Sequence, residues 1–246
     1  MPPLSAQRQA TLLSFLVDLG LDPSGLGAAA LAPLEEALCH SSAGLPHNHE
    51  RLEFLGDAVL RLAASQFLRR EQPHLAVGRH AALRAQLVSD RWLAELGQRC
   101  RIDQLWHLGA MAAGDTAGHA TVLAEISEAL IGAVYLVWGG AHGGLDAVED
   151  WLTPHWQASL ALYLADPDRD NWKTALQEWS QGQRLGLPSY TCQERSQRHG
   201  DPERFHCSVR LNAGQLLGEG MGPSRRAAEQ AAAAAALQAI RPAPAT

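Results

Sequence analysis

The sequence predicts an all-α domain followed by a small α+β domain with the element order α-β-β-β-α. From residue 8 to about residue 164, apolar residues recur at the three- and four-residue spacing of amphipathic helices. After residue 172, short runs alternate apolar and polar residues, which is typical of half-buried strands. Charge divides at the same place, with nine Lys and Arg against six Asp and Glu from residue 172 onward, and eleven against twenty before it. We therefore expect two domains with different tasks.

A short polar segment separates the two domains. Residues 164–171 read LADPDRDN, and a proline among three aspartates favours a linker. We place the first domain at 1–164, the linker at 165–171 and the second domain at 172–242. The second domain begins with a short helix ending at glycine, continues with strands in PSYTCQER, RFHCSVRL and GQLLGEG, and ends with the alanine-rich helix SRRAAEQAAAAAALQAI.

Several function classes are disfavoured by composition. No apolar run approaches the roughly 20 residues of a membrane span, and the N-terminus lacks the pattern of a signal peptide, so we expect a cytoplasmic protein without membrane contact. The four cysteines contain no Cys-x-x-Cys pair. We therefore expect reduced thiols, and neither a zinc site nor a disulfide framework.

Two helical segments of the first domain carry carboxylates in stripes. In ERLEFLGDAVL, Glu50, Glu53 and Asp57 fall within about 60° of one another, which fits a solvated helix edge as well as a site. In VLAEISEALIGAVYLVW, Glu125 and Glu128 are the only charged side chains of a segment that is otherwise apolar all round. Burying two like charges side by side is costly unless a cation lies between them. The second segment therefore favours a metal site.

An all-oxygen ligand set indicates a hard divalent cation. Mg²⁺ takes one or two carboxylates per ion together with water and phosphate oxygens, and Mn²⁺ can substitute for it. The two acidic segments contain no histidine or thiolate ligands of the kind that zinc and iron prefer. We therefore expect Mg²⁺ and no small-molecule cofactor. His47 and His49 adjoin the acids in sequence, and we assign them a structural or surface role.

The start of the last helix is the candidate site for an anion. Ser224 can cap this helix, and Arg225 and Arg226 follow where positive side chains oppose the helix dipole at a cost of about 0.3–1 kcal/mol. A bound phosphate removes that cost, because exposed N–H groups and two arginines together form an anion site. Solvated arginines on a surface helix remain the alternative reading of these residues.

These segments resemble known families. ERLEFLGDAVL resembles the signature of the ribonuclease III family, LAEISEALIGAVYL resembles its second acidic helix, and LRAQLVSDRWLAELG, residues 83–97, is similar to the helix between them. GEGMGPSRRAAEQAAAAAAL resembles the end of a double-stranded-RNA-binding domain. By matching positions, the resemblance implies metal ligands at Glu53, Asp57, Glu125 and Glu128, with Asp57 and Glu128 catalytic, and an accessory acid at Glu50.

The second resemblance implies RNA contacts in the C-terminal domain. Domains of this kind recognise the shape of A-form duplexes through phosphates and 2′-hydroxyls rather than base sequence. The implied contacts are Thr174, Gln177, Glu178, Ser224, Arg225 and Arg226, with Gln181 and His199 as further candidates. Three positions depart from the first family's pattern. Glu125 stands where an aspartate is usual, His119 stands near a usual Lys or Arg, and Val77 replaces an additional acid.

Taken together, the resemblance implies an Mg²⁺-dependent endoribonuclease that cuts double-stranded RNA and leaves 5′-phosphate and 3′-hydroxyl ends. It implies ribosomal RNA precursors and other structured transcripts, including messenger RNA, as substrates. It also implies a homodimer in which Phe54 enters a socket on the other subunit, with packing of Phe54 inside its own domain as the alternative. One rival function is a duplex-RNA-binding protein whose catalytic fold is structural, which the four intact acids disfavour. Another is a metal-dependent helical enzyme acting on isoprenoids or phosphates, which leaves the second domain unexplained.

Overall fold

A computed structural model describes residues 3–165, 171–198, 201–211 and 214–240 of the chain. The chain splits into two compact units, Met1–Leu162 and Tyr163–Thr246. Residues 166–170 of the expected linker and the candidate RNA contact His199 lie outside the described residues.

The first unit is helical, as the apolar spacing predicts. Ser5 caps its first helix by accepting a hydrogen bond from the Arg8 N–H at 3.2 Å. The α-helices are α1 (Ala6–Asp18), α2 (Ala32–Ala37), α3 (Glu50–Glu71), α4 (Val77–Leu87), α5 (Asp90–Arg99), α6 (Ala110–Gly114), α7 (His119–Val137) and α8 (Gly144–Ala165).

Helices α3 and α7 form the centre of this unit. A Cβ added at Gly56 would lie 1.9 Å from the carbonyl oxygen of Glu128, and one added at Gly132 would lie 2.3 Å from that of Leu52. Leu52 on α3 meets Gly132 on α7, and Gly56, further along α3, meets Glu128, which is earlier on α7. The two helices therefore run in opposite directions. Only glycine permits so close an approach of two backbones. These two glycines therefore set the distance between the acidic helices.

Helix α7 is a core helix. Within the described part of the chain it alone is long and apolar enough, by length and composition, to cross a membrane. In the structure most of its residues are buried by neighbouring helices, chiefly α3 and α5. Its apolar character is therefore explained by the interior of the domain.

The second unit has the predicted α-β-β-β-α order. Its elements are α9 (Trp172–Gly182), β1 (Ser189–Glu194), β2 (Phe205–Leu211), β3 (Gln215–Gly222) and α10 (Arg225–Ile240), and the sheet is antiparallel in the order β1-β2-β3. Cys207, Val209 and Leu211 of β2 are buried against the helices, which confirms the predicted alternation. A Cβ added at Gly220 would lie 2.3 Å from the backbone nitrogen of Ala232, so glycine and alanine together let α10 lie close to the sheet.

One expectation about the cysteines is wrong. Cys192 on β1 and Cys207 on β2 are directly opposite each other and are joined by a disulfide. Spacing along the chain does not indicate this pair, because cross-strand neighbours depend on strand register. Cys39 and Cys100 are free thiols, as expected.

Candidate active site

The four predicted acids converge where α3 packs against α7. Glu128 lies close enough to Asp57 for a hydrogen bond when one of the two carboxyl groups is protonated, and the charge of Glu53 also raises the pKa of Glu128. The charge of Glu125 in turn raises the pKa of Glu53. All four side chains are partly buried. The structure therefore joins two stripes that lie about 70 residues apart in the chain into one carboxylate cluster, which is defined here as Glu53, Asp57, Glu125 and Glu128.

The electrostatics of this cluster favour a bound cation. Burial, followed by the nearby carboxylate of Asp57, raises the pKa of Glu128 to about 7. Burial and then the charge of Glu125 raise the pKa of Glu53 above its usual value. Like charges held together in a partly dry site disfavour ionisation of one another, and a divalent cation relieves that repulsion. The all-oxygen donors of the cluster fit Mg²⁺.

Asp57 has a second partner on its own helix. The Nε–H of Arg61 donates to Oδ1 of Asp57 at 2.6 Å, and the two side chains are an i, i+4 pair on α3. Arg61 is well exposed, so the ion pair is screened by water and contributes little stability. Arg61 places a positive charge at the solvent edge of the cluster.

Asp90 is a fifth acid that the sequence did not single out. It raises the pKa of both Glu53 and Glu128, although it is the last contributor in each case. Asp90 is the first residue of α5, whose preceding Ser89 accepts a hydrogen bond from the Trp92 N–H at 3.2 Å. An acid in the first turn of a helix is favourable by itself, so its type and position carried no functional signal.

Two histidines lie at one end of the cluster. His40 Nε2 is 3.3 Å from Oε2 of Glu125. His49 Nε2 is 3.3 Å from Oε2 of Glu53 and 3.7 Å from Oε2 of Glu125. The two imidazole rings are stacked, with centroids 4.8 Å apart. These contacts make one mixed group of two imidazoles and two carboxylates.

The sequence prediction captured this end of the site only in part. His49 is 2% exposed, which excludes the surface role considered for it, whereas His47 is exposed. Burial, followed by the neighbouring His40 ring, lowers the pKa of His49, which favours the neutral imidazole. His40 was missed, because it precedes α3 and nothing in its local sequence connects it with Glu125.

The remaining predicted residues of α3 are exposed. Glu50 lies at the start of the helix, open to solvent, and its charge contributes to the raised pKa of Glu53. Phe54 is 85% exposed, and Ala58 and Leu62 continue the same exposed line at four-residue intervals. We call Phe54, Ala58 and Leu62 the Phe54 stripe. Phe54 does not pack within its own domain.

The two other residues that depart from the family pattern are His119 and Val77. The His119 ring meets the Trp106 ring edge-on, with centroids 5.4 Å apart. Val77 is 83% exposed at the first position of α4.

The candidate RNA contacts that belong to the described part of the second unit are all accessible. Ser224 caps α10 by accepting a hydrogen bond from the Ala227 N–H at 3.2 Å, as predicted. Helices α9 and α10 contact each other on one side of the sheet, so their exposed residues belong to one small unit. The exposed candidates are Thr174, Gln177, Glu178 and Gln181 on α9, and Ser224, Arg225 and Arg226 at the start of α10.

Two family profiles match this chain. One, described as "Ribonuclease-III-like", covers residues 32–153, which include the carboxylate cluster. The other, described as "Double-stranded RNA binding motif", covers residues 172–240. The two matches fall within the two units separately.

Similar proteins match over most of the chain. A Prochlorococcus marinus protein named "Ribonuclease 3" is 49% identical over 205 residues, which cover 83% of this chain and 80% of that protein. A Nostoc protein named "Ribonuclease 3 2" is 41% identical over 236 residues, covering 96% of this chain and 95% of that protein. The crystal structure of the nuclease domain of ribonuclease III from Campylobacter jejuni is 25% identical, with a TM-score of 0.50, and covers 59% of this chain and 92% of that one.

Proposed function

This chain belongs to the ribonuclease III family of endoribonucleases, which act on double-stranded RNA, and we propose that it cuts duplexes in an Mg²⁺-dependent reaction that leaves 5′-phosphate and 3′-hydroxyl ends. Ribosomal RNA precursors and other structured transcripts are the proposed substrates. The observation that carries the proposal is the convergence of four carboxylates in which the pKa of Glu128 is raised to about 7. A cluster of this kind is typical of a metal-assisted active site.

Glu53, Asp57, Glu125 and Glu128 would hold the metal. When bound, Mg²⁺ supplies an activated water and stabilises the charge that develops on the phosphate and on the leaving oxygen. The protein holds the acids rigidly, because α3 and α7 meet at Gly56 and Gly132 with backbone atoms in direct contact. Rigid placement matters, because small displacements of catalytic groups reduce rates strongly.

The second unit would supply most of the affinity for the duplex. Exposed polar side chains on α9 suit 2′-hydroxyl groups, and the capped start of α10 with Arg225 and Arg226 suits a phosphate. Such contacts read the backbone and groove shape of A-form RNA. We therefore propose binding with little base preference and strong dependence on salt.

The proposed assembly is a homodimer. The Phe54 stripe is an exposed apolar line on the helix that carries Glu53 and Asp57, so a partner that covers it lies beside the acids. A second copy of the chain related by a two-fold axis makes this contact isologous and places two clusters symmetrically. Each cluster would then cut one strand, leaving a short 3′ overhang.

A cleavage assay with a long RNA duplex tests the proposal. Purified full-length protein should cut the duplex with Mg²⁺ or Mn²⁺ and should be inactive in EDTA. The products should require no added phosphate for ligation to a 3′-hydroxyl acceptor, because each carries a 5′-phosphate. Tight duplex binding without cleavage in any of these metals would favour the non-catalytic RNA-binding protein instead.

A further inference from the structure

We propose that His40, His49, Glu53 and Glu125 form a second metal position that selects a transition-metal ion such as Zn²⁺ over Mg²⁺. It shares Glu53 and Glu125 with the proposed Mg²⁺ cluster, and to that extent it rests on the proposed function. Binding of Zn²⁺ there would draw these two carboxylates away from Mg²⁺. The expected consequence is inhibition of Mg²⁺-dependent cleavage by Zn²⁺.

The geometry of the donor atoms fits one small ion. His40 Nε2 is 3.3 Å from Oε2 of Glu125, and His49 Nε2 is 3.7 Å from the same oxygen and 3.3 Å from Oε2 of Glu53. Ligands of one tetrahedral zinc ion lie roughly 3.4 Å apart, given bonds of about 2.0–2.2 Å. One ligand atom from each of His40, His49 and Glu125 lies within 4.8 Å of the others. Small side-chain movements would therefore complete the site.

His49 is held in place before any ion binds. It is 2% exposed, it immediately precedes α3, and its backbone N–H donates to the Cys39 carbonyl at 2.9 Å. Its ring nitrogen Nδ1 is buried without a hydrogen-bond partner among the described residues. Burial of a polar ring with an unpaired nitrogen costs free energy. A metal on Nε2 would not pair Nδ1, so the support for His49 as a ligand is its fixed position and the direction of Nε2 toward Glu53 and Glu125.

His40 has the outer partner that ligating histidines commonly have. Its Nδ1 lies 2.7 Å from Oγ of Ser42 and accepts a hydrogen bond from the Ser42 backbone N–H at 3.2 Å, and the same Oγ accepts a hydrogen bond from the Gly109 N–H at 3.0 Å. Metal binding through Nε2 would place the ring proton on Nδ1, where Oγ of Ser42 could accept it. A partner on the second ring nitrogen fixes the orientation of an imidazole ligand and tunes its basicity. Nε2 of His40 is thereby directed at Glu125.

The chemistry of the donors determines which ion the site prefers. Imidazole nitrogen suits Zn²⁺, Cu²⁺, Ni²⁺ and Fe²⁺, whereas Mg²⁺ prefers oxygen donors. Asp57 and Glu128, at the other part of the cluster, offer only carboxylate oxygens as metal ligands. The extra methylene of Glu125, relative to aspartate, lengthens the reach of its carboxylate toward the histidines. The two ions therefore compete for shared carboxylates from chemically different positions.

Metal binding to the full-length protein without RNA tests the proposal. Zn²⁺ and Mg²⁺ affinities are measured by calorimetry on EDTA-treated and desalted protein, and Co²⁺ serves as a visible-absorption probe of nitrogen ligation. We expect one Zn²⁺ per protomer. His40→Asn should weaken Zn²⁺ binding at least about tenfold and Mg²⁺ binding by much less. His47→Asn, an exposed neighbour outside the cluster, is the matched control and should change neither affinity.

His49→Asn provides a second arm, with circular dichroism as the check that this buried variant folds. Equal weakening of Zn²⁺ and Mg²⁺ binding by His40→Asn would overturn the proposal, because the histidines would then only orient carboxylates. Zn²⁺ binding that neither His40→Asn nor a folded His49→Asn affects would also overturn it. Wild-type cleavage with Mg²⁺ tests the proposed function separately. An inactive protein that binds Zn²⁺ through His40 would contradict that function and leave this inference standing.

Discussion

The acids at the candidate active site have different surroundings, and these differences rank the expected effects of single substitutions. Glu128 and Asp57 lie side by side in a partly buried site, and burial together with the Asp57 carboxylate raises the pKa of Glu128 to about 7. Glu125 is held beside two histidines. Glu50 is open to solvent at the start of α3. We therefore expect the largest losses at Glu128 and Asp57, and a smaller one at Glu50.

Glu128→Gln and Asp57→Asn should each suppress duplex cleavage at least about a hundredfold, because a metal-stabilised transition state loses several kcal/mol with its ligand. Duplex affinity should be almost unchanged, since the second unit carries the proposed contacts. Initial cleavage rates and filter binding in EDTA measure the two effects. Glu95→Gln, an exposed acid of α5 paired with Arg91, is the control. Near wild-type cleavage by both active-site variants would contradict the metal assignment.

At the scale of secondary-structure elements, the contact between α3 and α7 decides the geometry of the cluster. Gly56→Ala places a methyl group 1.9 Å from the Glu128 carbonyl oxygen, so the helices must separate. We expect a loss of about 1–3 kcal/mol in the free energy of unfolding. The cleavage rate should fall by more than the decrease in the folded fraction explains, because separating the helices displaces both acidic stripes.

Gly78→Ala on α4 is the matched control for Gly56→Ala. Its added methyl group meets nothing within 4 Å, and the position is exposed. It should be neutral or stabilising by up to about 1 kcal/mol, since alanine favours helix. Urea unfolding monitored by circular dichroism measures both variants. Equal stability of the two would show that α3 and α7 do not meet as closely as described.

We expect the start of α10 to contribute to the salt dependence of RNA binding. Arg225→Ala combined with Arg226→Ala should weaken binding about uniformly across duplex sequences and reduce the slope of log affinity against log salt by about 1 per arginine. Arg210→Ala is the control, because Arg210 is exposed on β2 and alternates with its buried residues. Titrations at several salt concentrations measure the slope. An unchanged slope in the double variant would place the phosphate contacts elsewhere.

The disulfide between β1 and β2 predicts the number of reactive thiols in the protein. The Cys192–Cys207 disulfide has a sequence separation of 15, and closing a loop of this size stabilises a fold by about 3 kcal/mol in the chain-entropy description. Oxidised, denatured protein should show two reactive thiols, Cys39 and Cys100, and four after reduction. Thiol counting with a chromogenic disulfide reagent measures this. Four thiols before reduction would contradict the disulfide.

At the scale of the whole molecule, the Phe54 stripe predicts self-association. Phe54→Asp introduces a charge into the proposed interface, where burial without a partner costs several kcal/mol, so this variant should be monomeric. Val17→Asp makes the same change at an exposed apolar residue of α1 and should remain dimeric. Sedimentation equilibrium at micromolar concentration distinguishes the two. A wild-type protein that is monomeric yet makes paired staggered cuts would refute the dimer.

The sequence by itself determined the fold class, the helical nature of the first unit, the order of elements in the second unit and the presence of two acidic stripes. These are local properties, because each depends on only a few neighbouring residues. Examples are helical spacing, strand alternation, the capping Ser224 and the glycines at the ends of elements. The acids of α3 and of α7 could each be assigned to one helix face for the same reason.

Only the tertiary structure decided which of these residues meet. His40 and Glu125 are 85 positions apart, and Asp90 approaches the cluster from a third helix. The Cys192–Cys207 pair follows from strand register, and the exposure of Phe54 follows from which side of α3 its neighbours leave uncovered. Periodicity predicts the face of a helix or strand on which a side chain lies, but it does not predict which element packs against that face. Packing alone brings together residues so far apart in the chain, because it depends on the shapes of all the helices at once.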